Sequence, residues 1–100
     1  MTPAIVVRPA AEAEISEAFQ WYEDKSIGLG SEFMRALDAS LSAIQRFPTS
    51  YAVVYKEIRR AVLRRFPYSV YYLYENDTIV VIACFHGSRN PRQWQDRAEE

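Results

Sequence analysis

The sequence predicts an α+β domain in which an N-terminal helical hairpin packs on one face of a small antiparallel sheet, in the order β-α-α-β-β-β. Two observations predict this fold. Apolar residues recur at three- and four-residue steps in the first half of the chain, and alternating β-branched and aromatic residues take over after Pro48. The length of 100 residues, with 49% hydrophobic and 25% charged side chains, suits one globular domain. We therefore expect residues 1–100 to form a single domain.

The first half of the chain predicts a short strand and two helices. Ile5–Arg8 has the composition of a strand, and Pro9 suits the first turn of a helix, where its missing N–H costs nothing. This helix runs to about Lys25, and after two glycines a second helix extends to Phe47-Pro48. The apolar stripes of the helices contain Ile15, Phe19 and Tyr22 in the first and Phe33, Leu37, Leu41 and Ile44 in the second. The tight connection predicts an antiparallel hairpin.

The second half predicts a meander of antiparallel strands. The predicted strands are Ile58–Phe66, Tyr68–Glu75 and Thr78–His86, with Val53–Tyr55 as a weak lead-in. Asn76-Asp77 forms the turn between the last two strands, and Pro91 opens a short helix through Arg97. Both later strands are apolar on both faces, which is typical of strands covered on two sides. The face opposite the helices is therefore a candidate binding surface unless the C-terminal tail covers it.

Composition argues against several classes of protein. The longest apolar run, Ile79–Phe85, is far shorter than the ~20 residues of a membrane span, and the N-terminus lacks the layout of a signal peptide. We therefore expect a cytoplasmic protein without a membrane partner. The single cysteine, Cys84, lies in that apolar run and is predicted to be a small buried residue. One cysteine and one histidine do not make a usual ligand set, so neither a metal nor a cofactor is expected.

The formal net charge of -1 conceals a basic second half. Residues 51–100 contain eight basic residues against six acidic ones, and seven of the eight are arginine. Arginine makes bidentate contacts with phosphate and carboxylate, so an anionic partner is expected on one face. The strand arginines also fit a solvated edge strand that its charges protect from aggregation. Their alternation directs at most half of them to a single surface.

The candidate residues for binding a target or a nucleic acid lie around the ends of the last strands: Arg60, Arg64, Arg65, His86, Arg89, Arg92 and Trp94. His86 suits a general acid or base, and alternatively a histidine that hydrogen-bonds a backbone carbonyl. Trp94 beside arginines suits base stacking, although packing on the sheet is the favoured interpretation. The tyrosines of Tyr68–Glu75 alternate as core residues do, so we interpret them as packing rather than as a stacking platform.

Three segments together resemble the RelE/ParE toxin superfamily of bacterial type II toxin–antitoxin systems, and they are closer to its ParE branch. They are Arg-Phe-Pro-Tyr-Ser-Val-Tyr-Tyr at 65–72, His-Gly-Ser-Arg-Asn-Pro-Arg-Gln-Trp at 86–94, and Gly-Leu-Gly-Ser-Glu-Phe at 28–33. The resemblance covers nearly the whole chain. It implies a cytoplasmic toxin of the plasmid-stabilization type, neutralised in a hetero-oligomer by the C-terminal segment of a ParD- or RelB-like antitoxin.

Family members act either as ribosome-dependent mRNA endonucleases or as inhibitors of DNA gyrase. The nuclease branch has a basic residue directly after the aromatic residue that corresponds to Tyr68, where this chain has Ser69. Neutral serine cannot make that charge-assisted phosphate contact. The resemblance therefore implies gyrase inhibition by binding rather than an enzyme. The alternatives are an mRNA endonuclease with His86, Arg89 and Arg65 as catalytic residues, and a non-toxic, toxin-derived binding partner or co-repressor.

Overall fold

A computed structural model describes residues 2–88 and 91–99, with the side chains described through Arg97. Its elements are β1 (Ala4–Val7), α1 (Pro9–Lys25), α2 (Leu29–Arg46), β2 (Val53–Tyr55), β3 (Ile58–Val62), β4 (Tyr68–Glu75), β5 (Thr78–His86) and α3 (Arg92–Gln95), with a final 3-10 turn at Asp96–Glu99. Both helices, β4 and β5 lie where the sequence predicts them. Among the described residues, no helix is long and apolar enough to cross a bilayer.

The five strands form one sheet in the order β1-β5-β4-β3-β2. The pairs β5-β4, β4-β3 and β3-β2 are antiparallel, as the predicted meander requires. β1 pairs in parallel with β5, from Ala4 opposite Thr78 to Val7 opposite Val81. A parallel pair needs a crossover connection. The helical hairpin, which follows β1 in the chain and packs on one face of the sheet, forms part of that crossover. The sequence does not predict this parallel pairing.

The strand β3 is shorter than predicted, since it ends at Val62 and not at Phe66. The chain turns because Arg65 has a φ of 66° and Pro67 follows two residues later. The Leu63 N–H donates to the Tyr68 carbonyl over 2.9 Å and closes this turn. The segment from Leu63 to Pro67, which we call the arginine loop, therefore leaves the sheet and carries its basic side chains away from the strand.

Each face of the sheet is covered. The helix face buries Phe33, Leu37 and Ile44 of α2 against Val70 and Tyr72 of β4. The outer face buries Ile58, Tyr71, Ile82, Ala83 and Phe85 beneath Trp94 of α3. A register shift between Tyr71 and Tyr72 places the consecutive residues Ile82 and Ala83 on the same outer face. The C-terminal tail thus closes the face that the sequence left open.

A carboxylate and two glycines fix the tip of the helical hairpin. The backbone N–H groups of Gly28 and Gly30 donate to the two oxygens of Glu23 over 2.9 and 3.0 Å. Glu23 therefore satisfies N–H groups at the start of α2, where a negative charge also complements the helix dipole. Gly28 has a φ of 90°, a conformation that favours glycine.

Replacing Gly30 with alanine is expected to destabilise the hairpin by about 2 kcal/mol, because the added Cβ overpacks a close contact. That Cβ would lie 2.8 Å from the Phe19 carbonyl oxygen and 3.0 Å from the Glu23 carboxylate. Urea unfolding measures the loss. Gly87→Ala is the matched control, since among the described residues its Cβ would meet the Pro67 carbonyl at an ordinary 3.7 Å. Equal stability of the two variants would contradict this account of the hairpin tip.

Candidate functional site

The arginine loop and the end of β5 lie at the same end of the sheet. Tyr68 pairs with His86 across the β4-β5 ladder, and the Gly87 N–H donates to the Pro67 carbonyl over 2.7 Å. The fold therefore brings the loop residues Arg64 and Arg65 to the same end as His86. Arg89 lies outside the described residues.

The neighbours of His86 fix its tautomer. The backbone N–H of Ser88 donates to His86 Nδ1 over 3.0 Å, and the Ser88 hydroxyl lies 2.8 Å from the same atom. Since a backbone N–H can only donate, Nδ1 carries a lone pair, and the neutral ring holds its proton on Nε2. The ring also contacts Tyr68 edge-on, with 5.4 Å between ring centroids. In this arrangement the neutral imidazole offers a hydrogen-bond donor to a partner and no free lone pair.

A cavity of about 510 Å³ lies between α1 and the end of β5, beside His86. Its lining combines aromatic residues with two carboxylates: Trp21, Tyr22 and Tyr68 with Glu14 and Glu17. Burial raises the pKa of the Cys84 thiol, also in the lining, to about 12, and the Glu14 carboxylate adds to this effect. Cys84 is therefore a neutral buried thiol and not a nucleophile, in agreement with its predicted role.

The free energy of unfolding is expected to fall as the pH rises from about 9 to about 12. Burial raises the folded-state pKa of the Cys84 thiol from 9.0 and of the Tyr72 hydroxyl from 10.0, both to about 12. Within this window the unfolded chain releases protons that the folded chain retains, so rising pH favours unfolding. Below about pH 9 both groups are protonated in either state, and their contribution to stability is fully present.

Urea unfolding at several alkaline pH values measures this dependence. Cys84→Ala removes one of the two groups. The plot of unfolding free energy against pH should therefore become flatter, beginning at its low-pH end near pH 9. A variant curve parallel to that of the wild type would show that Cys84 does not titrate as stated.

The candidate basic residues have separate environments. Arg60 is exposed on β3, and Arg92 is exposed on α3. Arg65 lies 3.6 Å from Glu32 of α2 in a pair that solvent reaches on both sides. The neighbouring Arg59, by contrast, donates to the carbonyls of Thr49 and Tyr51 over 3.0 and 2.7 Å. Arg59 therefore fastens the segment that precedes β2.

Trp94 is a packing residue. It is 5% exposed and stacks on Tyr71 with 4.3 Å between ring centroids and 19° between ring planes. The stacking alternative that the sequence allowed requires an open ring face, and this geometry favours packing. Ser69 is also buried, at 6% exposure. It lies opposite Val62 of β3 on one side and Phe85 of β5 on the other.

A second cavity of about 630 Å³ lies between α2 and the arginine loop. Its basic lining residues are Arg35 and Arg46 of α2 with Arg64 and Arg65 of the loop, and we call this cavity the basic groove. The sequence places the two loop arginines among the candidates but not Arg35 and Arg46. For Arg35 and Arg46 the sequence offers only their spacing along one side of α2. No local motif indicates that this side of α2 faces the loop.

The chain is similar to toxins of type II toxin–antitoxin systems. Residues 5–91 match the family model described as "ParE toxin of type II toxin-antitoxin system, parDE". Two curated proteins, each named Toxin ParE2 and each from a strain of Mycobacterium tuberculosis (CDC 1551 / Oshkosh and ATCC 25618 / H37Rv), are 30% identical over 92 residues. The matched region covers 91% of this chain and 88% of each relative.

Solved structures share the fold. The "Chromosomal ParDE TA system from P. aeruginosa" contains a chain that matches with a TM-score of 0.75 at 12% identity, over 85% of this chain and 96% of that one. The toxin–antitoxin complex RelBE2 from Mycobacterium tuberculosis contains one that matches with a TM-score of 0.62 at 12% identity, over 86% and 99%. At such identity the match supports the helical hairpin and five-stranded sheet, and with them the fold class that the sequence predicts.

Proposed function

Since this chain belongs to the ParE toxin family of type II toxin–antitoxin systems, we propose that it arrests growth by binding and inhibiting DNA gyrase. The observation that carries the choice of binding over RNA cleavage is the state of Ser69. The nuclease branch of the superfamily that the sequence resembles has a basic residue at this position. This chain has a neutral side chain there, and it is 6% exposed.

The surroundings of Ser69 strengthen the point. Its cross-strand partner Phe85 lies beneath Arg97, whose guanidinium is 4.9 Å from the ring centroid. Its strand neighbour Tyr71 lies beneath Trp94. A phosphate therefore has no open approach at this position, and the nearby Arg97 guanidinium already pairs with Glu14 at 2.8 Å. Stabilisation of a cleavage transition state needs both an approach and an available charge.

The hydrogen bonds of His86 support the same choice. Activating a ribose 2′-hydroxyl requires a base with an available lone pair. The Nδ1 lone pair of His86 already accepts from Ser88, and Nε2 carries the proton. As a donor, His86 suits recognition of a carbonyl or carboxylate on a protein partner, so we place it with Arg60, Arg64, Arg65, Arg89 and Arg92 as target-contacting residues.

We further propose that a cognate antitoxin neutralises the protein in a hetero-oligomer. In this proposal residues 1–100 form a single toxin domain, and toxin and antitoxin both act in the cytoplasm. Two solved structures with the same fold, a ParDE system and a RelBE2 toxin–antitoxin complex, support an antitoxin partner. Co-expression with the adjacent open reading frame should restore growth and yield a complex that copurifies. Growth arrest that the adjacent gene does not relieve would contradict this assignment.

Incubation of purified protein with gyrase and relaxed plasmid tests the gyrase target. Supercoiling should stop, and prior addition of the antitoxin should restore it. Arg64→Gln combined with Arg65→Gln should raise the concentration needed for inhibition about tenfold, whereas Arg8→Gln, at the far edge of the sheet, should not. Equal potency of all these variants would remove the arginine loop from the target surface.

The second candidate is a ribosome-dependent mRNA endonuclease. The observation that favours it is the position of Arg65 and His86 at one end of the sheet, where they could meet one substrate. It predicts mRNA cut within ribosome-bound codons in a translating extract, and loss of cutting on His86→Ala. Intact mRNA in that extract under conditions of growth arrest would exclude it. Absence of any growth arrest on overexpression would instead favour a non-toxic, toxin-derived protein.

A further inference from the structure

We propose that two copies of this chain associate through the outer edge of β1, which pairs antiparallel with the β1 of the second copy about a two-fold axis at Val6. β1 lies at one end of the strand order, and among the described residues no strand pairs with its outer side. The association would join two five-stranded sheets into one. The proposal concerns self-association and does not rest on gyrase being the target.

The open backbone groups of β1 are those of Ile5 and Val7. The N–H groups of Ala4 and Arg8 donate over 3.3 and 3.0 Å to carbonyls of β5 and of the turn before it. Alternate residues of a strand direct their backbone groups to the same side, so Ile5 and Val7 direct theirs away from β5. The outer edge therefore offers two N–H groups and two carbonyls to another strand.

Two prolines limit this edge and fix its register. Pro3 and Pro9 have no N–H to donate, and the Pro3 carbonyl already accepts from the Gln45 side-chain amide over 3.0 Å. When Ile5 of each copy lies opposite Val7 of the other, the two strands make four hydrogen bonds. Sliding one strand by two residues in either direction brings a proline opposite an open residue and leaves two bonds, so one register is favoured.

The side chains in this register bring apolar surfaces together on both faces of the sheet. Val6, which is 50% exposed, lies at the axis opposite Val6 of the second copy, in a non-hydrogen-bonded pair. On the helix face, Ile5 of the second copy lies beside Val7. A cavity of about 540 Å³ opens there, and its apolar lining includes Val7 and the half-buried Met34 and Leu41. The second copy would therefore cover apolar surface that one chain leaves partly exposed.

The charges suit an identical partner. Ala4 pairs with Thr78 and Thr78 pairs with Glu75, so these three residues form one row across the sheet. In the proposed register Arg8 of the second copy continues this row beside Ala4, and its positive charge faces towards Glu75. The net charge of -1 leaves little repulsion between two copies.

A second copy fits this edge better than a longer strand of another protein. A longer strand would leave its own backbone groups unpaired opposite Pro3 and Pro9, whereas a second β1 ends at the same prolines. The opposite edge of the sheet is less suited to pairing, because a register shift between Val53 and Tyr55 makes β2 irregular. β1 pairs with β5 in a regular register throughout.

Sedimentation velocity of the full chain without an N-terminal tag tests the association. The average mass should rise with concentration towards twice that of one chain. Val6→Lys brings two like charges together at the axis and should raise the dissociation constant about tenfold or more. Val53→Lys is the matched control and should associate as the wild type does, since Val53 is also 50% exposed and lies on the opposite edge strand.

Disulfide cross-linking tests the register. Oxidised Val6→Cys should form a covalent dimer, because the Cα atoms of a non-hydrogen-bonded antiparallel pair lie about 4.5 Å apart, within disulfide range. Ala4→Cys is the control. Its two cysteines would be offset by four residues, about 13 Å along the strands, which a disulfide does not span. The native Cys84 is 1% exposed and does not compete.

The outcomes separate the components of the proposal. A single-chain mass at every concentration would overturn self-association. A dimer that Val6→Lys and Val53→Lys weaken equally would overturn β1 as the interface. Cross-linking of Ala4→Cys as fast as that of Val6→Cys would overturn the register. Circular dichroism of each variant identifies loss of folding, and if Val6→Lys does not fold, the two cysteine variants decide the interface.

Discussion

Replacement of Trp94 with alanine is expected to lower the free energy of unfolding by about 3–5 kcal/mol, the usual cost of removing a buried aromatic side chain. Trp94 is 5% exposed and packs on Tyr71 and Tyr55, with ring centroids 4.3 and 6.1 Å away. Its loss opens the outer face of the sheet, because among the described side chains of α3 and the final turn it is Trp94 that stacks on Tyr71. Urea unfolding followed by circular dichroism measures the change.

Trp21 provides a matched control for this experiment. It is 54% exposed on α1, and Lys25 lies over its ring at 4.7 Å. Trp21→Ala should cost less than about 1 kcal/mol, since a surface substitution leaves little cavity. If Trp94→Ala and Trp21→Ala have the same stability, the tail does not cover the sheet as described, and the outer face returns as a candidate binding surface.

Replacement of Glu14 with alanine is expected to cost about 3 kcal/mol. Its carboxylate accepts two hydrogen bonds from Arg97 over 2.8 and 2.9 Å and one from the Cys84 N–H over 3.0 Å. β1 pairs with β5 as far as Val81, and beyond that residue this ion pair covers the β5 edge, where Arg97 also donates to the Ile82 carbonyl. Removal of one partner leaves a poorly solvated charge and an uncovered strand edge.

The control for this substitution is Glu17→Ala, one turn along the same helix and exposed. It should change the free energy of unfolding by no more than about 0.5 kcal/mol. Arg97 is 22% exposed at its side chain and can regain some solvent, which keeps the expected effect of Glu14→Ala below that of a fully buried pair. A loss no greater than that of Glu17→Ala would show that the ion pair does not hold the tail.

The local parts of the fold follow from the sequence. The bounds of β4 and β5 match the prediction because alternating apolar residues flank a turn at Asn76 and Asp77, which have φ values of 53° and 56°. The end of β3 was missed because alternation continues through Arg65 in the sequence, whereas its backbone has a positive φ. The parallel pairing of β1 depends on a contact between distant segments, which no local pattern specifies.

The candidate site was only partly predictable for the same reason. The sequence identifies Arg64, Arg65 and His86 by their positions next to strand ends, and the fold brings them to one end of the sheet. The basic groove needs arginines from α2, and only the packing of α2 beside β3 brings them to the loop. Glu14 likewise looks like one more acidic residue on a solvated helix face until the tail folds back onto it.

The central claim is that the protein stops its target by binding and not by cutting RNA. Titration of the purified protein into a gyrase supercoiling reaction, with no ribosomes present, tests it most directly. We predict that supercoiling falls to half at a toxin concentration comparable to that of gyrase, and that His86→Ala retains this inhibition to within a few-fold, because His86 supplies one contact and no chemistry. Undiminished supercoiling at a large molar excess, with ribosome-bound mRNA cut by the same preparation, would contradict the claim.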